Sequence, residues 1–144
     1  MTITAHIIGT PKPQPRVKAF SRGGHAGVYT PKTADEWKSA IADQMREHAN
    51  TAIDGAVRVT MCFYMQRPKS HFRTGKKTSH LLKESAPKHH TVKGDIDNYC
   101  KGVMDALTNM QVWRDDSQVV QLSLFKSWAE SEPGMSLVIT TENE

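Results

Sequence analysis

The chain has 144 residues, 38% hydrophobic and 24% charged, with a net charge of +4, the profile of one globular domain rather than a disordered or collagen-like chain. Two cysteines and no C-x-x-C exclude a disulfide framework and the common structural zinc motifs. No apolar run approaches the ~20 residues of a membrane span, and nothing at the start reads as a signal peptide, so a cytoplasmic protein with no membrane association is expected.

Residues 2–8 alternate, with Ile3, Ala5 and Ile7 on one side, and predict a strand. Residues 10–33 are rich in Pro and Gly without a helical period, which predicts a long loop or an irregular hairpin. Thr33 and Glu36 have capping-box spacing. Trp37, Ile41, Met45 and His48 follow at i, i+4, i+8 and i+11, so a helix is expected from about 34 to 49. Residues 56–65 alternate cleanly, with Val57, Val59, Met61, Phe63 and Met65 on one face of a strand. Residues 67–93 carry almost no pattern, and a loop of that length in a compact domain is usually functional or disordered. Ile96, Cys100, Val103, Met104 and Leu107 mark a second amphipathic helix. Two strands follow, at 118–128 and 135–141, expected to form a hairpin across AESEPG. The order β–α–β–α–β–β predicts a single α+β domain over 1–144, a small mixed or antiparallel sheet of about four strands with two helices packed on it.

Charge is unevenly distributed. Residues 1–34 hold five Lys/Arg and no acid, and residues 67–93 hold eight and one acid. Residues 94–144 hold three bases and nine acids. The two basic tracts suit a polyanion. Arg16, Lys18 and Arg22 on the first loop, with Arg67, Lys69, Arg73, Lys76 and Lys77 on the second, suit phosphate contacts. Phe72 lies within the second tract, where it suits a wedge into distorted DNA or, as the simpler reading, a tether to the domain.

The acids need a geometric argument. In a helix, residues i and i+2 point about 200° apart, whereas in extended chain they share a face. Asp95 and Asp97 cooperate only if Asp95 precedes the helix, and Gly94 gives the backbone freedom for that corner. Asp97 then lies in the first turn, with Lys101 its i+4 neighbour. Asp115 and Asp116 follow the second helix, and a tight return brings them towards the first pair. Converging carboxylates repel unless a cation lies among them. A hard divalent ion, Mg²⁺ above all, suits such a cluster. An EF-hand starting at Asp95 is excluded, because Cys100 and Ala106 occupy its glycine and glutamate positions. The plainer alternative is that one aspartate caps the helix, the other is a first-turn acid, and Asp97–Lys101 is an ordinary ion pair.

The stretch Asp95, Asp97, Asn98, Lys101, then Asp105-Ala106-Leu107, then Trp113, Asp115-Asp116, Gln118 and Val119 reads D-x-D-N-x-x-K, D-A-L and W-x-D-D-x-Q-V. In this it resembles the RusA-type Holliday-junction resolvases, small homodimeric endodeoxyribonucleases common in prophages. The resemblance implies Asp95, Asp97 and Asp116 as Mg²⁺ ligands, with Mn²⁺ as a substitute, Lys101 as the catalytic lysine, and Asp115 as supportive. It implies a homodimer acting on branched DNA, a four-way junction, by metal-activated phosphodiester hydrolysis. The basic 67–93 loop is longer than in the shorter members of that family. Two other readings stay open at this point: a branched-DNA-binding module without catalysis, and a metal-dependent nuclease for flaps or single strands.

Overall fold

A computed structural model describes residues 1–141. In chain order the elements are β1 (Thr2–Ile8), β2 (Lys18–Arg22), β3 (His25–Tyr29), α1 (Asp35–Gln44), β4 (Val57–Met65), α2 (Ile96–Asn109), β5 (Val119–Trp128) and β6 (Gly134–Thr141). The main sheet runs β1-β6-β4-β5, with antiparallel pairs β1/β6 and β6/β4 and a parallel pair β4/β5. The fold is therefore α+β with a mixed four-stranded sheet, as the element pattern predicts. The Pro/Gly-rich first loop contains a separate hairpin, β2–β3, with Lys18 opposite Tyr29 and Arg22 opposite His25.

Alternation places Val57, Val59, Met61, Phe63 and Met65 on the buried face of β4. Met135, Leu137 and Ile139 of β6 continue that face, and Ile3 and Ile7 extend it onto β1. Trp37 and Ile41 of α1 and Val103 and Leu107 of α2 complete the same core. Each such side chain contributes about 1.5–3 kcal/mol on burial.

The expected β5–β6 hairpin does not form. The chain leaving β5 passes across β4 and returns as β6 between β4 and β1. Burial explains the placement: β6 is buried along its inner face, whereas β5 leaves Val120, Leu122 and Phe125 exposed, which suits an edge. Gly134 makes the insertion sterically feasible, since a Cβ there would overlap the Ile7 carbonyl.

The first helix is also shorter than expected. It ends at Gln44 and tightens into a 3₁₀ turn at Arg46–His48, and the Thr33/Glu36 capping box is absent because Ala34 is the N-cap. Gln44 instead bonds both backbone groups of Ile8, at 2.8 and 2.7 Å, fastening α1 to the end of β1. Among the described residues, no helix is long and apolar enough to cross a membrane.

Candidate active site

α2 begins at a corner that its sequence requires. Gly94 has φ +115°, a region that favours glycine, and a Cβ there would collide with the Tyr99 ring. Asp95 follows as the N-cap in extended conformation, with φ −70° and ψ 135°, and makes no side-chain cap bond. Asp97 lies in the first turn. So Asp95 does precede the helix proper, and its carboxylate is not consumed as a cap. Lys126 of β5 donates from Nζ to the Gly94 carbonyl at 3.0 Å and ties the corner to the edge strand.

The turn after α2 separates the two later aspartates. Asp115 is the N-cap of the 3₁₀ turn Asp116–Gln118, and its carboxylate accepts from the Ser117 amide at 2.8 Å. That bond holds Asp115 below the usual carboxylate range. Gln118 accepts from the amides of Arg114 and Asp115, and its own NH₂ donates to Ile53 and Gly55 carbonyls at 2.7 and 2.8 Å. The turn is stapled to the loop before β4. Asp115 is thereby committed to structure although it is exposed like Asp116, and Asp116 is the member of the pair that lines a cavity.

Asp116 and Lys101 line one cavity of about 300 Å³, with Gln14, Met104, Asp105 and Thr108. Lys101 makes no ion pair or side-chain hydrogen bond among the described residues, so the plain Asp97–Lys101 pair is not formed. Asp105 does not hold Lys101 either; it takes Lys38 of α1 at 2.8 Å. Asp97 lies one helical turn before Lys101 on the same face, about 6 Å along the axis. Asp95 and Asp97 do not line the cavity, and among the described residues no three His, Cys, Asp or Glu side chains converge on one point. The single three-carboxylate pocket expected from the sequence is thus not closed in this chain. An all-carboxylate donor set still fits Mg²⁺, which binds through one or two carboxylates together with water and substrate phosphate rather than in a dedicated protein cage. Two softer donors are withdrawn: burial and the Asp97 charge push the Cys100 thiol up to about 11, and His90 is buried against Trp128.

The basic residues divide into two kinds. Arg16, Lys18, Arg22, Lys69, Arg73, Lys76 and Lys77 are exposed. Arg67 turns inward: its guanidinium lies 5.3 Å from the Trp128 ring centre and donates to the Pro87 carbonyl at 2.8 Å. His71 packs edge-on against the same indole at 5.0 Å and His90 at 4.5 Å. Trp128 is therefore the post on which the 67–93 loop docks. Phe72 bridges to Leu82 and lines a cavity with Trp128, which makes it a tether. Trp113 is fully buried and donates to the Thr108 hydroxyl at 2.7 Å. Gln14 and Lys126 escape sequence reasoning because neither belongs to a motif and both act across long sequence separations.

The family model described as Endodeoxyribonuclease RusA matches residues 9–140. An uncharacterized protein of Bacillus subtilis (strain 168), YqaN, is 35% identical over 137 residues, covering 92% of each chain. The match takes in both the Asp95–Lys101 corner and the Asp115–Gln118 turn, and on its extent this chain belongs to the RusA endodeoxyribonuclease family.

Proposed function

We propose that this protein is a Mg²⁺-dependent, structure-selective endonuclease that resolves Holliday junctions as a homodimer in the cytoplasm. The observation that carries the reading is a cation, Lys101, without a partner among the described residues, sharing a cavity with the Asp116 carboxylate and lying one turn from Asp97. A lysine without an internal partner is free to meet a phosphate oxygen and to offset the charge that grows on it during phosphodiester cleavage. Asp95, Asp97 and Asp116 would hold the divalent ion, with water and a DNA phosphate completing its coordination. A Mg²⁺ bound there would supply charge neutralisation on the phosphoryl group and a lowered pKa for the attacking water. The outward bases of the two loops bind backbone with little sequence readout.

A four-way junction has two-fold symmetry, which a C2 dimer matches with paired sites. The surface we assign to the dimer is the uncovered edge of β5, where Val120, Leu122 and Phe125 are exposed.

The test is Asp97→Asn assayed on junction, fork, flap and linear duplex. Cutting should be abolished while junction binding persists. Cutting that continues without divalent ions removes the metal mechanism, and a preference for flaps over junctions removes the resolvase reading.

A further inference from the structure

We propose that Gln14 is a positioning residue for Lys101: its carboxamide oxygen receives a hydrogen bond from the Lys101 ammonium when DNA fills their shared cavity, aiming that cation at the phosphate beside Asp116. The proposal rests on the role given to Lys101 above.

The segment carrying Gln14 is a strap laid along α2. Pro11, Pro13 and Pro15 restrict its backbone. The Gln14 amide donates to the Asn98 carbonyl at 3.0 Å in the first turn of the helix. One turn on, Gly102 has no side chain, and a Cβ there would lie 3.6 Å from both the Gln14 amide nitrogen and Oε1. The strap therefore rests against the helix beside Lys101, and Gln14 is one of the residues lining the cavity that Lys101 and Asp116 also line.

Gln14 Oε1 is buried and has no donor among the described residues. Buried acceptors are rarely left unpaired in native proteins, so one lining a functional cavity calls for a partner that arrives with the substrate. DNA phosphate brings only acceptors and cannot be that partner. Of the cavity's own donors, the Thr108 hydroxyl is already anchored as acceptor of the Trp113 indole N–H. Lys101 is the charged donor, and it has no partner among the described residues. A neutral carboxamide is suited to this task. It fixes the ammonium through one N–H, leaves its charge intact, and leaves two N–H groups for phosphate. A carboxylate in its place would quench the charge needed by the substrate.

The test uses Gln14→Met, which keeps length and packing but removes the oxygen, alone and combined with Lys101→Ala. Single-turnover cleavage by Gln14→Met should fall by about 10–100-fold, the scale of a misplaced catalytic group, with junction affinity retained. In the Lys101→Ala background the same substitution should cost nothing further, because the two residues act as one unit. A purely structural role predicts losses that add in the double variant, and that result, or a wild-type rate for Gln14→Met, overturns the inference. Wild-type cleavage by Lys101→Ala overturns the lysine's role itself, which separates failure of the underlying reading from failure of this one.

Discussion

Lys126 Nζ donates to the Gly94 carbonyl at 3.0 Å, so an edge strand holds the corner that presents Asp95. Gly94 sits at φ +115° and has no conformational reason to stay there without such a restraint. The lysine is half-buried, and a hydrogen bond from a charged donor is worth more than a neutral one. Lys126→Met should lower unfolding free energy by about 1–3 kcal/mol, read by urea denaturation. Junction cutting should fall more than junction binding does, since the corner aims a carboxylate and contacts no DNA. Equal losses in both would assign Lys126 to the DNA surface instead.

The corner shows what was legible beforehand. Asp95 as extended chain and Asp97 as a first-turn residue follow from the i,i+2 geometry and from Gly94, because helix and strand periodicities are local properties. The strand order was not legible. β6 between β4 and β1 depends on which hydrophobic faces meet across the whole chain, whereas adjacency in sequence favours a hairpin. The same limit hid the partners of Asp105 and Arg67. Each carries an ordinary local signal, an i+4 relation to Lys101 and a place in a basic tract, and each is claimed by a distant group, Lys38 and Trp128. Gln14 had no local signal beyond its flanking prolines.

The two classes of basic residue should behave differently in salt. Lys76 and Lys77 are exposed in a turn closed by the Thr78 amide on the Gly75 carbonyl. Replacing either by alanine should reduce the slope of log Kd against log salt by about 1, with cutting at saturating enzyme unchanged. Arg67→Ala should instead loosen the loop from Trp128, visible as faster amide exchange across residues 67–93. A salt slope unmoved by Lys76→Ala and Lys77→Ala would take this turn out of the DNA interface.

The β5 edge gives the proposed dimer a definite prediction. Val120 is 62%, Leu122 41% and Phe125 58% exposed, along a strand with no neighbour on its outer side among the described residues. Exposed apolar edges template association unless covered. Leu122→Asp should leave the chain folded and shift it from dimer to monomer in sedimentation velocity. The two nicks on opposing junction strands should then lose their coupling in time. A variant that remains dimeric places the interface elsewhere.

His90 makes docking of the basic loop sensitive to pH. It is 8% exposed, packed on Trp128, and its Nδ1 has no partner among the described residues. Burial first, then the nearby Lys126 charge, hold its pKa below the ordinary value of 6.5, against a smaller opposing backbone hydrogen bond. The docked ring therefore stays neutral at a pH where the undocked or unfolded chain already takes up a proton. The sign follows: stability is unaffected well above about pH 6.5, falls as pH drops below it, and levels off once pH passes the depressed folded value. Amide protection factors over residues 67–93, taken relative to the intrinsic rate at each pH, should fall between about pH 7.5 and pH 5.5, and His90→Phe should flatten that dependence while keeping the ring contact with Trp128. Since Lys126 is one cause of the depressed pKa, Lys126→Met should move the transition to higher proton affinity, raising the His90 pKa towards its ordinary value. A loop equally protected at both pH values would show that His90 is protonated without leaving the indole, and that the Trp128 post holds through Arg67 and His71 alone.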